Sequence, residues 1–224
     1  MHDYAMLEDG DRVLLGVSGG VDSSVLALVL KHWLAKAPIK YELKAVFIDN
    51  GFWKPESGGK SPAEKIAITL SDLDIDFSVV KARELNEEEL TCFLCARNRR
   101  SQLFDLARDW KMNKIAFGHH QDDLIETLFL NMMYSGNIST MVPKQSLFNG
   151  DVYIIRPFAY MEKKNILEIA NLAKIERVKN YCPLEKDTRR ELVRKILADI
   201  YSSEPGAKKS LFQSMKNIRE DYLP

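Results

Sequence analysis

The feature that most constrains this chain is the junction at residues 14–24, where the apolar run Leu-Leu-Gly-Val meets Ser-Gly-Gly-Val-Asp-Ser-Ser. The run predicts a β-strand, the paired glycines predict a tight turn, and the apolar spacing that follows predicts a helix. The first amides of such a helix have no partners within it, and the helix dipole favours an anion at that end. The junction therefore predicts a site for the phosphates of a nucleotide.

The residue types within this turn suit phosphate binding. Glycine leaves no Cβ in the way of a ligand, and serine adds hydroxyl donors. Asp22 repels a polyphosphate unless it binds magnesium or caps the helix, and an ordinary capped turn is the alternative. The turn lacks Gly-x-x-x-x-Gly-Lys-Ser/Thr and Gly-x-Gly-x-x-Gly, which argues against Walker-type ATPases and dinucleotide-binding folds. The predicted nucleotide-binding residues here are Ser18, Gly19, Gly20, Asp22, Ser23 and Ser24.

Strand patterns alternate with helical patterns along the chain. Such alternation predicts βαβ units, a mostly parallel sheet of about five strands and helices on both faces. Residues 1–182 are predicted to form this domain, and residues 183–224 a C-terminal helical extension. Within the domain, residues 137–150 are predicted to be a long loop. The predicted strands are residues 12–17, 41–48, 75–81, 114–117 and 152–156.

The three cysteines lie in two places, Cys92 with Cys95 and Cys182 far along the chain. Two thiols separated by two residues can ligate one metal ion or one cluster. Three thiolates on a four-iron cluster leave one iron open to a small ligand such as sulfide. A redox dithiol or persulfide carrier, a zinc site completed by a histidine, and plain buried cysteines are the alternatives.

The composition limits the class of protein. The 224 residues have a formal net charge of zero, which excludes a strongly basic nucleic-acid footprint over the whole chain. No apolar run reaches the roughly 18 residues of a membrane span. The first residues lack the basic and apolar regions of an export signal. We therefore expect a cytoplasmic protein that does not contact a membrane.

Several segments resemble, in matching order over most of residues 10–200, the tRNA 2-thiocytidine synthetase group of the PP-loop ATP pyrophosphatase superfamily. Ser-Gly-Gly-x-Asp-Ser is the superfamily signature. The further segments are Cys-Phe-Leu-Cys-Ala-Arg-Asn-Arg-Arg at 92–100, Gly-His-His-Gln-Asp-Asp at 118–123, Leu-Phe-Leu-Asn-Met-Met-Tyr at 128–134, Val-Pro-Lys at 142–144 and Ile-Arg-Pro-Phe at 155–158. The resemblance implies a three-layer α/β fold with a parallel sheet, similar to the adenine nucleotide α-hydrolases.

The resemblance also implies a reaction. Members cleave ATP between its α and β phosphates, adenylate a carbonyl oxygen and let a nucleophile displace AMP. In the thiolating group, a [4Fe-4S] cluster has three cysteine ligands, which correspond to Cys92, Cys95 and Cys182 here. The later cysteine of that group commonly lies in a second Cys-x-x-Cys, whereas Glu185 occupies the fourth position of that string in this chain.

Further site residues follow from the strand ends and from the resemblance. Asp22 and Asp123 are predicted to be catalytic, and Asp123 is preferred to Asp122. Alternatively, both aspartates of the 118–123 segment only stabilise the start of a helix through its dipole. Lys144 and Arg156 are candidate cations for pyrophosphate or an RNA phosphate. The remaining predicted cofactor-binding residues are Asp49, toward adenosine or else in a turn, and Gly118 and His119.

Pairs and triplets of basic residues recur along the chain. Arg97, Arg99 and Arg100 lie beside the thiols and are the candidates for RNA phosphates. The other clusters are more typical of solvated helix faces. They are Lys163 with Lys164, Arg189 with Arg190, Arg194 with Lys195, and Lys208 with Lys209.

The resulting prediction is ATP-dependent thiolation of a tRNA base, using ATP, magnesium and a [4Fe-4S] cluster. The expected partners are tRNA, through its anticodon loop, and a sulfur donor such as a cysteine desulfurase or free sulfide. The oligomeric state is open, with a homodimer among the options. The alternatives are a PP-loop amidating or lysine-ligating tRNA-modifying enzyme with a structural zinc, and a non-catalytic nucleotide or RNA sensor.

Overall fold

Six strands form one sheet in the computed structural model, which describes residues 1–55, 58–85, 91–179, 181–182 and 189–222. The strands are β1 (Asp11–Val17), β2 (Tyr41–Asp49), β3 (Asp76–Lys81), β4 (Lys114–Ala116), β5 (Lys144–Leu147) and β6 (Val152–Ile155). The helices are α1 (Val21–Lys36), α2 (Pro62–Asp72), α3 (Cys92–Asp109), α4 (Gln121–Ser135), α5 (Lys163–Leu172), α6 (Arg189–Ser203) and α7 (Ala207–Ser214). Short 3₁₀ turns occupy His2–Tyr4, Phe148–Gly150 and Glu220–Tyr222.

The sheet order is β3-β2-β1-β4-β6-β5, and every neighbouring pair except β5 with β6 is parallel. This confirms the α/β fold with a mostly parallel sheet. The direction in which the chain adds strands to the sheet reverses between β1 and β4. In open α/β sheets, ligands bind beyond the carboxyl ends of the strands at such a switch point.

The prediction of a loop over residues 137–150, and of about five strands, was wrong at the sheet edge. Lys144–Leu147 forms β5, which pairs antiparallel with β6. The sequence Lys-Gln-Ser-Leu is short and mostly polar, so it carries little strand signal of its own. Its pairing with β6 decides its conformation, and an edge strand that faces water tolerates such polar residues.

Helices cover both faces of the sheet, as the α/β prediction requires. On one face α1, α2 and α5 contribute Leu26, Ile66 and Ile166 to the larger core. On the other face α3 contributes Leu103 and Ala107. Both faces are therefore closed to water, and the central strand β1 is apolar at nearly every position.

The C-terminal helices pack against α4 rather than against the sheet. Val193 and Leu197 of α6 share a buried cluster with Ile125 of α4, and Leu211 of α7 packs against that cluster. Residues 183–188 lie outside the described part of the chain, so the boundary between domain and extension stays a prediction. None of the helices described is long and apolar enough to cross a membrane.

The loop after β4 lies against the first turn of α1 through Gly118. A Cβ at Gly118 would lie 2.9 Å from both the carbonyl carbon and the oxygen of Asp22. Backbone atoms cannot move aside as the end of a flexible side chain can. This glycine therefore lets α1 and α4 begin side by side at the carboxyl edge of the sheet.

We expect Gly118→Ala to lower the free energy of unfolding by about 1–3 kcal/mol, because the added methyl overpacks the contact with Asp22. The matched control is Gly206→Ala. Gly206 has a φ of −82° and no atom within 4 Å of its Cβ position, so this change should be close to neutral. Urea unfolding of both variants measures the difference, and equal midpoints would contradict the tight contact.

Candidate active site

A cavity of about 300 Å³ opens beyond the carboxyl ends of β1, β2 and β4. Its lining joins the strand ends, the start of α1, the first half of α3 and the loop into α4. The lining residues are Gly16, Val17, Ser18, Asp22, Ser23, Val46, Phe47, Ile48, Ala96, Arg99, Arg100, Leu103, Phe117, Gly118, His119 and Asp123. One cavity therefore brings together the 18–24 turn, the cysteine-bearing helix and the 118–123 segment.

Hydrogen bonds within the turn fix its shape. The Ser23 hydroxyl donates to the Gly20 carbonyl at 2.9 Å and accepts from the Ser18 amide at 3.2 Å. The Gly20 amide donates to Ser18 Oγ at 3.3 Å. Gly19 has a φ of +79°, a conformation that glycine adopts without strain. The amides at the start of α1 are thus presented at the cavity, as the sequence predicts for a phosphate site.

The six predicted residues of the turn have different positions. Ser18, Asp22 and Ser23 line the cavity. Ser24 is buried, and its hydroxyl donates to the Gly20 carbonyl instead. Gly19 and Gly20 shape the backbone and are not among the lining residues. Sequence spacing identifies the turn. Only the folded structure shows which of its residues line the cavity and which shape the backbone.

A segment after α5 covers the turn from the outside. The Val178 amide donates to the Gly19 carbonyl at 3.0 Å, and Val178 Cβ lies 3.1 Å from the Cβ position of Gly19. Any side chain at Gly19 would meet Val178 as well as an unfavourable φ. The same segment continues to Cys182, so it links the phosphate turn with the third cysteine.

His120 lies buried among three aspartates. Its Nε2 is 3.3 Å from an Asp123 oxygen and 3.9 Å from an Asp22 oxygen, and its Nδ1 is 3.5 Å from an Asp122 oxygen. The His120 amide also donates to Asp123 at 3.0 Å, which caps the start of α4. The imidazole therefore holds acidic groups from α1 and α4 in one place.

Lysines from later helices neutralise these acids. Lys163 of α5 forms an ion pair with Asp22. Lys208 of α7 lies 2.6 Å from Asp122, and the Lys163 amide donates to the same carboxylate at 3.0 Å. Burial raises the pKa of Asp122, but the hydrogen bonds from His120, Lys208 and the Lys163 amide outweigh it and hold that pKa below its usual range.

Arginines of α6 neutralise the next turn of α4. Arg190 and Arg194 lie 2.9 and 2.8 Å from the buried carboxylate of Glu126. Arg190 is also 3.7 Å from Asp123. The interpretation of these basic clusters as solvated faces was therefore wrong for Lys163, Arg190, Arg194 and Lys208. No local sequence signal marks their pairs with Asp22, Asp122 and Glu126, because these partners lie 64 to 141 residues away.

The cysteines border the cavity on the α3 side. Cys95 is buried, Cys92 is exposed, and neither is in a disulfide. Burial raises the pKa of Cys95, Arg99 lowers it, and the thiols of Cys182 and Cys92 raise it further. The Cys95 thiol is therefore within electrostatic reach of both other thiols. Among the residues that the structure describes, no group of three His, Cys, Asp or Glu is arranged to hold a single metal ion.

Asp49, Lys144 and Arg156 also lie outside the cavity lining. Asp49 accepts from the Gly51 amide at 2.8 Å, which is the turn role. Lys144 donates to the Ala5 carbonyl at 2.5 Å. Arg156 is 5% exposed and donates to the Val142 carbonyl at 2.6 Å.

His119 lines the cavity next to the ring of Phe117, with 5.4 Å between ring centroids. Its Nδ1 is buried and has no hydrogen-bond partner in the described chain. Burial lowers the pKa of His119 to about 3, and the neighbouring charges of Arg156, Arg190 and Arg100 act in the same direction. The cavity therefore contains a neutral imidazole that can both donate and accept a hydrogen bond.

Comparisons with known proteins agree with this geometry. The sequence model of the PP-loop domain family matches residues 2–200. The tRNA-cytidine(32) 2-sulfurtransferase of Neisseria meningitidis serogroup C (strain 053442) is 36% identical over 228 residues, which span 100% of this chain and 70% of that protein. The protein of the same name from Alcanivorax borkumensis is 35% identical over 226 residues, which span 99% of this chain and 78% of that protein.

A solved structure shows the same fold. The U34-tRNA thiolase NcsA from Methanococcus maripaludis with its [4Fe-4S] cluster superimposes with a TM-score of 0.77 at 21% identity. The match spans 94% of this chain and 73% of that chain. At this level of identity, the likeness concerns the arrangement of strands and helices.

The burial of neutral His119 has a consequence for stability. An unfolded chain protonates histidine below about pH 6.5, whereas folded His119 stays neutral down to about pH 3. The folded state binds fewer protons in this window, so its stability falls as the pH falls. We expect His119→Gln to reduce the slope of the free energy of unfolding against pH by up to about 1.4 kcal/mol per pH unit.

Urea unfolding of the metal-free protein at about pH 5 and about pH 7 measures this slope. His32→Gln is the matched control, because His32 is exposed on α1. A slope that is unchanged in His119→Gln would contradict a neutral imidazole in the cavity.

Proposed function

Since the chain belongs to the PP-loop family, we propose that it is an ATP-dependent enzyme that replaces the carbonyl oxygen of a tRNA cytidine with sulfur. The relatives named tRNA-cytidine(32) 2-sulfurtransferase support the substrate and the reaction. The observation that carries the proposal is the single cavity lined by both the 18–24 turn and the helix of Cys92 and Cys95. A reaction that consumes ATP and transfers sulfur requires these two groups at one place.

In the first step the 18–24 turn binds the phosphates of ATP. The amides at the start of α1 and the hydroxyls of Ser18 and Ser23 donate to phosphate oxygens. The carbonyl oxygen of the base attacks the α-phosphorus, an O–P bond forms, and the bond to the β-phosphate breaks as pyrophosphate leaves.

In the second step a sulfur nucleophile attacks the adenylated carbon. A C–S bond forms, the C–O bond breaks, and AMP leaves with the original carbonyl oxygen. AMP is a far better leaving group than oxide, which is why ATP is needed. The neutral imidazole of His119 lies in the same cavity and can hold a hydrogen bond to the base.

The donor set fits a [4Fe-4S] cluster with three cysteine ligands. Iron–sulfur clusters are held by cysteine thiolates, and the charges of Cys92 and Cys182 both act on the Cys95 thiol. Cys92, Cys95 and Cys182 would hold the cluster. When bound, the cluster would supply sulfide from its open iron.

Magnesium is proposed to arrive with ATP. Mg²⁺ sites commonly use one or two carboxylates together with substrate phosphates. Asp22 and Asp123 line the cavity and are the carboxylates that would hold the ion, with Lys163 already paired to Asp22. The proposed partners are tRNA, bound through its anticodon loop, and a sulfur donor, either a cysteine desulfurase or free sulfide. A homodimer and a cytoplasmic location complete the proposal.

The function is tested by expressing the chain in a bacterium that lacks its own tRNA-cytidine sulfurtransferase. We expect 2-thiocytidine to reappear among the tRNA nucleosides measured by mass spectrometry. Asp22→Asn is the negative control, because it removes a carboxylate from the cavity. An unchanged nucleoside profile, with AMP formed from ATP on another acceptor, would point to an amidating or ligating enzyme. If the protein turns over no ATP with any tRNA, the result supports a nucleotide or RNA sensor.

We expect serine at Cys92, Cys95 or Cys182 to abolish thiolation and to lower the iron and labile sulfide content of anaerobically purified protein. ATP binding should persist in each variant, because the 18–24 turn is untouched. The free energy of unfolding of the metal-free variants controls for loss of the fold. Zinc without iron in the wild-type protein, or full iron content in the variants, would contradict the cluster.

A further inference from the structure

Most cations that surround the cavity have a carboxylate partner. Lys163 pairs with Asp22, and Lys208 pairs with Asp122. Arg190 lies 2.9 Å from Glu126. These three cations balance the acidic wall formed by the starts of α1 and α4, so they are not free to attract another anion.

The wall on the α3 side differs, because its arginines have no carboxylate within ion-pair distance in the described parts of the chain. Arg99 and Arg100 line the cavity there. The Nε atom of Arg99 is buried and has no hydrogen-bond partner among the described residues. Arg100 is exposed to the cavity and to solvent. Two positive charges thus face the cavity with no carboxylate paired to them among the described residues.

Arg156 adds a third charge behind this wall. It is 5% exposed, and its guanidinium contacts only the Val142 carbonyl and, at 3.4 Å, the Gln145 side chain among the described residues. Its Nε has no hydrogen-bond partner in that part of the chain. Burial lowers the pKa of Arg156 to about 10, and the charge of Arg100 lowers it further. Arg156 does not line the cavity, so it acts there through its field and not by contact.

The neutral side chain of His119 lies within the field of both groups. His119 and Arg100 line the same cavity, and the charges of Arg156 and Arg100 each lower the pKa of His119. A neutral imidazole can form a hydrogen bond to a ligand and repels neither a cation nor an anion. The wall therefore combines strong positive potential with unused donors, which is the chemistry that recognises a phosphate.

From these contacts we infer that Arg99 and Arg100 form a second site for a phosphate oxyanion, on the α3 side of the cavity, and that its ligand is the phosphodiester of the target nucleotide. The first phosphate site is the 18–24 turn on α1. The two helices cover opposite faces of the sheet. A nucleotide held by its backbone at one wall places its base between the walls, toward the α-phosphate of ATP.

This inference rests on the proposed function, since it takes tRNA as the substrate. The phosphates of ATP carry the same chemistry and are the other source of an oxyanion for this site. The experiment therefore measures both ligands separately. Arg100 is the residue to change, because it is exposed and forms no ion pair with the described residues.

The experiment uses the anaerobically prepared holoprotein and an unmodified tRNA transcript. Binding is measured over a range of salt concentrations for the wild type, Arg100→Ala and Arg108→Ala. Arg108 is the matched control on α3, because it is exposed, pairs with Asp105 and lies outside the cavity. We expect Arg100→Ala to lower the slope of log affinity against log salt by about 0.7–0.9, which is the loss of one phosphate contact.

Arg108→Ala should leave that slope unchanged. Arg100→Lys should keep most of the slope, because the charge remains although bidentate bonding is lost. In the second arm, the affinity for α,β-methylene-ATP is measured for the same variants. We expect it to be unaffected by Arg100→Ala.

Each outcome decides the assignment. If Arg100→Ala lowers the salt slope of tRNA binding and leaves the affinity for α,β-methylene-ATP unchanged, the phosphodiester is the ligand. Weaker nucleotide binding with an unchanged slope overturns it and assigns the site to ATP. No change in either measurement overturns the site altogether. The proposed function fails separately, if the holoprotein binds both ligands and forms no 2-thiocytidine.

Discussion

The structure depends on neutralising acidic groups that the sheet brings together. β1 and β4 are neighbours, so the helices that follow them begin side by side and place Asp22, Asp122 and Asp123 around His120. Uncompensated, these charges would repel one another in a partly buried site. Lys163 and Lys208 supply the compensation from α5 and α7. The later helices are therefore bound to the site by charge as well as by the apolar cluster of α4 and α6.

The same arrangement gives the cavity two unlike walls. The α1 and α4 side has its acids and cations in balance, whereas the α3 side keeps arginines without carboxylate partners among the described residues. The positive potential of the cavity is therefore greatest on the α3 side. The segment through Val178 covers the 18–24 turn from the outside.

Local patterns predicted the elements that have strong local signals. The 18–24 turn, its flanking strand and helix, and the central apolar strands lie where hydrophobic spacing and glycines indicated. β5 was missed because four polar-rich residues at a sheet edge are strands only through their pairing with β6. The roles of Lys144 and Asp49 could not be read either, since a side chain at a strand end can turn toward or away from the cavity.

The sequence by itself determined the α/β class, the phosphate turn and the residue types available for thiol chemistry, because these depend on spacing along a few turns or strands. Only the tertiary structure decided which groups share the cavity. Lys163 and Asp22 are 141 residues apart in the chain, and a Cβ at Gly118 would lie 2.9 Å from the backbone of Asp22. Such contacts arise from strand order and helix packing, and those long-range choices leave no periodic mark in the sequence.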